Sequence, residues 1–358
     1  MRAHLKTLQA QVLPAAVSLD FCHLLDLERS EHDAGAVQAA LDEVKSASQV
    51  VCSDPRPADA EYAVDGPTHR WSEATFDHLA KNKQRLFDYA LAEGYDYFWL
   101  IDTDLLLDPM TLASLYAVDE EIVSAVFWTQ WAEGGRNLPD PNVWLKNPYG
   151  LDGMGLTEGE FLDKLSRRRL LQVKGGGACC LFSREAMEKA SYYPRLEGLP
   201  QEGMWQGEDR TLALRAERAH VLQWADGWPD IFHAYHPKMR EEAVLQAATE
   251  MLLRERKTEA AYGDLVNLMI MPLDEPRLRG QDFAVRGRLG GLHMVPELEQ
   301  AVVDMKVGEE RIVEVTFPMT WPIPDLRHRK RILQVQLVDV KEYSFAPVLA
   351  DHMFGGLE

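Results

Sequence analysis

Between residues 71 and 127 helix-like and strand-like patterns alternate, and this alternation limits the possible fold more than any other feature of the sequence. "WSEATFDHLAKNKQRLFDYALAEG" puts Phe76, Leu79, Leu86, Phe87 and Ala90 on one helical stripe, with Ser72 as N-cap and Gly94 as the stop. "YFWLI" (97–101) is too short for a helix and apolar enough for a buried strand. Asp108 before Pro109 predicts the N-cap and first turn of a helix over "PMTLASLYAV", and "IVSAVF" reads as the next strand. Outside this window "VVCSD", "ACCLF" and "HVLQWA" are strand signals, and "REAMEKA" (behind Ser183) and "EDRTLALRAERA" are helices. Alternation of this kind predicts an α/β unit, a parallel-type sheet covered by helices.

A chain of 358 residues has room for two domains. Beyond Pro272 the texture changes: "FAVRGRL", "ERIVEVTF" and "ILQVQLVDVKEY" alternate apolar and polar residues, as antiparallel strands with one wet face do. "PELEQAVVDMKVGE" between them is a short helix ending in a turn at Gly308. The predicted division is an α/β domain over 1–237, a charged helical linker over 238–272, a small α+β domain over 273–343 and a tail over 344–358.

The net charge of -19 repels phosphate backbones, which argues against a nucleic acid partner. "RRR" (167–169) and "RHRKR" (327–331) are too short to change that and read as solvated faces. No run approaches the roughly 18 apolar residues of a transmembrane segment, and the first twenty residues lack a signal-peptide core. Four cysteines without a CxxC pair read as reduced thiols, so a cytoplasmic location is expected.

"YDYFWLIDTDLLLDP" (95–109) holds Asp102 and Asp104 where an apolar strand ends. On a regular strand, positions i and i+2 point the same way, into the crevice where open α/β sheets bind ligands. Paired carboxylates repel unless a cation neutralises them, and Mn²⁺ or Mg²⁺ bridging to phosphate oxygens is the expected solution. Three further segments carry chemistry. Gly175, Gly176 and Gly177 permit close backbone approach, Glu208 and Asp209 open a helix, and His233 and His236 stand in "FHAYHP".

Taken in order, the DxD strand, "KGGGACCLFSREAM" (174–187), "GEDRTLALRA" (207–216) and "FHAYHP" (232–237) resemble the motifs of GT-A glycosyltransferases over roughly residues 1–237. The resemblance implies a GT-A mixed sheet flanked by helices and transfer of a sugar from a nucleoside diphosphate sugar to an unknown acceptor. It implies a metal on Asp102 and Asp104, completed by His236 with His233 as the alternative. Asp209, with Glu208 as the alternative, would take the acceptor proton. Donor contacts would come from the two DxD aspartates, Gly175, Gly176, Gly177, Asp54 after "VVCSD" and Arg70 in "HRW". Trp128, Trp131 and Trp144, in the long loop after Phe127, would stack on the acceptor. The family opens with a strand that reaches the nucleotide base, whereas "MRAHLKTLQAQVLPAAVSLDF" begins with a helical pattern.

The stretch 298–343, through its "MKVGE" turn, "VTFP" and closing "VKE", resembles the C-terminal half of FKBP-like prolyl isomerase domains of the trigger-factor type. Trp321 matches one pocket aromatic of that family. Leu298 and Leu333 stand where bulky aromatics are usual, and the insert carrying the pocket aspartate is shortened between Phe283 and His293. These departures imply an accessory module for a protein partner or self-association. Two rival readings follow: a folding helper whose first domain is inactive, and a DxD phosphatase. The phosphatase motif normally opens its domain, and "GEDRTLA" lacks the second aspartate that its partner motif requires.

Overall fold

The computed structural model describes residues 2–14, 17–25, 48–52, 57, 62–65, 68–129, 140–146, 155–196, 207–235, 237–253, 257–275, 283–290, 294–319 and 326–342. The chain divides into two units, Met1–Leu253 and Arg254–Glu358.

The first unit is mixed α/β. The strands that frame the site are β1 (Phe21–Leu25), β2 (Ser48–Cys52), β3 (Tyr97–Ile101), β4 (Leu105–Leu107), β5 (Ile122–Ala125), β6 (Leu170–Gln172), β7 (Cys179–Ser183), β8 (Gln223–Asp226) and β9 (Ile231–His233), and further two- to four-residue strands, Tyr62–Asp65 and Thr68–Trp71 among them, lie outside this set. Five form one sheet in the order β6-β8-β5-β7-β3. β8 and β5 run parallel, while β7 runs antiparallel to both of its neighbours, β5 and β3. The sheet is therefore mixed rather than parallel throughout, because β7 enters between β3 and β5 and runs opposite to both, and β6 runs antiparallel to β8. β1 and β2 pair in parallel apart from this sheet, and β9 pairs with β4.

Helices cover both faces: α1 (Arg2–Gln9), α2 (Glu73–Ala92), α3 (Thr111–Tyr116), α4 (Glu158–Ser166), α5 (Arg184–Lys189), α6 (Glu208–Arg218) and α7 (Glu242–Leu252). On one face Phe87 and Ala90 of α2 pack with Leu100, Cys180 and Phe182 of the sheet and Leu212 of α6. On the other, Leu5 and Leu8 of α1 and Leu112 and Leu115 of α3 meet Val123, Cys179 and Leu181. Strand alternation thus sends the adjacent cysteines 179 and 180 to opposite sides. Phe87 lies edge-on to Phe98, Phe182 and Tyr192 at 5.3, 4.9 and 5.1 Å between ring centroids. Such edge-to-face pairs each add about 0.5–1.5 kcal/mol to the burial itself.

Caps explain the helix boundaries. The Ser72 side chain accepts from Thr75 N to start α2, and Gly94 at φ +82 follows its end. Ser183 starts α5 in the same way. α3 begins at Thr111, two residues later than the Asp-Pro signal predicts. Asp108 Oδ1 accepts from Met110 N at 2.7 Å, so the aspartate makes a turn ahead of the helix instead of capping it.

In the second unit, strands β10 (Leu265–Pro272), β11 (Phe283–Arg288), β12 (Glu310–Thr316) and β13 (Lys330–Lys341) form an antiparallel sheet, order β11-β10-β13-β12, with helix α8 (Pro296–Val302). Its core includes Leu268, Ile270, Leu298, Val302, Leu333 and Leu337. The "MKVGE" turn is closed by Glu309, which accepts from Lys306 N within the turn (2.9 Å) and from Arg311 Nε just beyond it (2.7 Å).

The predicted linker over 238–272 is not a linker. α7 packs on α1 and β4 within the first unit, and β10 is an inner strand of the second sheet. The boundary falls at 253/254, and the helix within 238–272 ends at Leu252. Among the described residues no helix is long and apolar enough to cross a membrane.

α1 ties the start of the chain to β4. His4, 4% exposed, donates from Nδ1 to Leu105 O at 2.6 Å. Burial pushes its pKa down to about 4, outweighing the hydrogen bond to Leu105 that raises it. The unfolded chain takes up this proton below about pH 6.5, and the folded protein refuses it until about pH 4. Stability is therefore fully present above pH 6.5 and falls with acidification towards pH 4, by about 1.4 kcal/mol per pH unit. His23 is shifted in the same direction by burial. Urea midpoints at pH 7 and pH 5 should show this loss, and His4→Gln should flatten the slope. An equal slope in that variant would exclude His4 as its source.

Candidate active site

β3 delivers Asp102 to the sheet's edge. Asp102 N donates to Ala178 O at 2.8 Å, which ties the residue to the loop ahead of β7. The chain then turns, Leu105 N bonding to Asp102 O at 3.3 Å, so Asp102 and Asp104 occupy a turn between β3 and β4 and not a regular strand. The i, i+2 argument for a shared direction does not hold in a turn. What brings Asp104 into the site is the β4–β9 pairing, where His233 stands opposite Leu105.

Of the two candidate histidines, His233 lies beside Asp104, with Nε2 3.4 Å from Oδ2, while His236 lies outside the described residues. Thr129 Oγ1 holds His233 Nδ1 at 2.7 Å, and the Phe127 ring packs against the imidazole at 4.8 Å. Arg240 stands 4.0 Å from the same carboxylate oxygen. Burial alone would raise the Asp104 pKa, but the His233 hydrogen bond and charge, with Arg240, bring it below the ordinary value. Asp102 goes the other way. Burial lifts it to about 7, with Asp104, Asp209 and Glu208 adding to the rise and Lys83 opposing it. Neighbouring carboxylates driven apart in this way are typical of sites that divide roles between acids.

α6 supplies the second acidic pair. Lys83 of α2 donates to Glu208 Oε1 at 2.7 Å and to Asp209 Oδ1 at 2.9 Å. The Glu208 side chain is 7% exposed and that of Asp209 26%, so Asp209 is the accessible acid. Burial raises Asp209 to about 6 despite Lys83, close to where a base works best near neutrality. Lys83, buried among acids, is held well above the usual lysine range: burial opposes its charge, and Asp209, Glu208 and Asp102 outweigh that. Lys83 was not among the residues singled out by sequence. Its signal was there, since it sits on the inward stripe of an amphipathic helix, between Leu79 and Phe87.

The glycines answer to the protein's own side chains. A Cβ on Gly175 would come within 2.2 Å of the Trp144 ring, one on Gly176 within 2.4 Å of Ser124 Oγ, and one on Gly177 within 2.2 Å of Asp209 Oδ2. Asn142, also missed, staples this loop: its Nδ2 donates to Ala125 O and Gly177 O, both at 2.9 Å.

The remaining candidates divide. Trp144 carries the Arg210 guanidinium 3.4 Å above its ring centroid, so that face is already covered. Trp128 is half-buried against the core formed by Val126, Val143 and Phe161. Lys174 pairs with Glu217 at 2.6 Å. Arg70 lies opposite Ala63 on a hairpin strand, Thr68–Trp71, with its side chain outside the description. Asp54, Trp131 and Trp321 lie outside the described residues.

A cleft of about 1380 Å³ opens over this end of the sheet. Asp102, Asp104, Lys83 and Glu208 line one part, and residues of β1 and β3 line another. Among the described residues no three His, Cys, Asp or Glu side chains are gathered closely enough to cage a metal ion. Asp104 with His233 offers two donors. That is a set that fits Mg²⁺ or Mn²⁺ when phosphate oxygens and water supply the rest, since such ions commonly use one or two carboxylates plus substrate.

No family model matches the chain. Over 111 residues, 30% of this chain and 26% of the relative, it is 30% identical to the trigger factor of Carboxydothermus hydrogenoformans. It is 30% identical over 118 residues to that of Macrococcus caseolyticus, covering 31% of this chain and 26% of the relative. It is 32% identical over 108 residues to that of Nitratiruptor sp., covering 29% and 24%. Part of the chain resembles trigger factor. The chain spans about a quarter of the length of these relatives. These partial matches support the trigger-factor-like part of the reading alone.

Proposed function

We propose that the first unit is a glycosyltransferase of GT-A type, moving a sugar from a nucleoside diphosphate sugar to an acceptor hydroxyl. The observation that carries this reading is the convergence of Asp102, Glu208 and Asp209 around one lysine at the end of β3, with Asp104 acting on Asp102, and a cleft lined by Lys83, Asp102, Asp104 and Glu208 that is large enough for such a donor. Asp209 takes the proton of the acceptor hydroxyl, and the acceptor oxygen bonds to the anomeric carbon. The bond from that carbon to the diphosphate breaks, its electron pair leaving on the nucleoside diphosphate. A divalent cation at Asp104 and His233 would supply charge stabilisation for the departing diphosphate. Lys83 lies in contact with Asp209, while Thr129 and Phe127 orient His233. The test is a panel of sugar nucleotides with Mn²⁺ or Mg²⁺, scored for nucleoside diphosphate release. Release that stops on chelation is expected, and no release from any donor with either ion would end this reading.

A second reading is favoured by the trigger-factor similarity, which the comparisons support while they do not bear on sugar transfer. Here the second unit acts on polypeptide, as an FKBP-like folding helper. Leu298 and Leu333, at positions where that family places pocket aromatics, are fully buried in the core of the unit. This fits a binding module better than an isomerase. Turnover of a proline peptide by a chain that releases no nucleoside diphosphate would make the folding helper the main function.

A further inference from the structure

Lys83 has no role in the reading above beyond its contacts, and its position calls for one. It stands on the buried stripe of α2, between Leu79 and Phe87, where a lysine without counter-charge is strongly disfavoured. The groups facing it come from three segments: Glu208 and Asp209 of α6, Asp102 after β3, and Tyr192, whose ring centroid is 5.4 Å from Nζ. Its ammonium reaches Glu208 and Asp209 at 2.7 and 2.9 Å, so one lysine spans both acids of the helix start. It takes Oδ1 of Asp209. Oδ2 is turned to the bare backbone of Gly177, where any Cβ would lie 2.2 Å away. The carboxylate is therefore located from both sides, by an ion pair on one oxygen and by a gap left for the other.

We propose that Lys83 is the positioning residue of Asp209, binding Oδ1 so that Oδ2 is the oxygen that receives the acceptor proton. The inference rests on the glycosyl-transfer reading and adds to it the group that orients the base. Glu208 then serves as the second counter-ion of Lys83, which accounts for its deeper burial and leaves Asp209 as the base.

Lys83→Ala should lower kcat about 10–100-fold, the scale of a misplaced reacting group, with KM for the donor nearly unchanged. Added propylammonium should restore turnover saturably, and propanol of the same size should not. A purely structural lysine would respond to both additives or to neither. Should Lys83→Ala fail to fold, the double variant Lys83→Met with Glu208→Gln keeps the buried charge balanced and still strips Asp209 of its partner. Carbon-13 titration of Asp209 gives a readout that needs no activity. Losing Lys83 should move its midpoint up by about 1–3 pH units, the effect of removing an adjacent opposite charge. An unmoved midpoint, or full turnover in the variants, overturns the proposal and leaves sugar transfer standing. A moved midpoint in a protein that releases no nucleoside diphosphate sinks the transfer reading and leaves the Lys83–Asp209 anchor intact.

Discussion

Asp104→Asn should lower nucleoside diphosphate release by about 10²–10⁴-fold, because stabilisation of a departing charge by a held cation is worth several kcal/mol and each 1.36 kcal/mol is tenfold. The substitution keeps the size and one oxygen of the side chain, and the backbone bond from Ala234 N to residue 104 O (2.8 Å) stays in place. What it removes is the negative charge that His233 and Arg240 now face at 3.4 and 4.0 Å. It also leaves the Arg240 guanidinium without that anion, and an unneutralised positive charge would repel an incoming metal, which compounds the loss. Steady-state release at saturating Mn²⁺ is the measurement. Asp163→Asn, on an exposed helix pair with Arg167, controls for the general loss of a carboxylate. Turnover equal to that control in Asp104→Asn would remove this residue from the chemistry.

The parts of this fold that local chemistry decides were legible in the sequence. α2 and β3 were readable almost to their ends, because Ser72 and Gly94 mark the helix and an unbroken aromatic and branched run marks the strand. β10 was not, because "LVNLMIMP" is an inner strand whose residues are mostly buried on both faces, so no alternation shows. α4 carries a complete capping box, Thr157 with Glu160, but no long apolar stripe follows "TEGE" to mark a helix in the sequence. In the site, the acids were readable as types and spacings, but their partners were not. That Lys83 reaches Glu208 across 125 positions, or that His233 rather than a neighbour reaches Asp104, follows from how α2, α6, β4 and β9 pack. The glycine run was legible as a need for space, and only the neighbours Trp144, Ser124 and Asp209 say what fills it.

Gly177→Ala tests that last point by a route no charge change can mimic. The new methyl group would meet Asp209 Oδ2 at 2.2 Å and Cγ at 2.9 Å, distances at which something must move. Asp209 cannot move alone, since Oδ1 is bound to a buried lysine, and the glycine backbone is held by Asn142 at Gly177 O. The expected result is a displaced base: turnover down about 100-fold, as for a misplacement of about 1 Å. The accompanying stability loss should be about 1–3 kcal/mol, the usual cost of overpacking. Combining the change with Asp209→Asn separates the two effects. If the alanine acts on catalysis by pushing the carboxylate, it has little left to remove once the carboxylate is gone, and the double variant should be about as slow as Asp209→Asn alone. Losses that multiply in full would show that Gly177 acts elsewhere, and a Gly177→Ala enzyme with undiminished turnover would show that Asp209 is not the base.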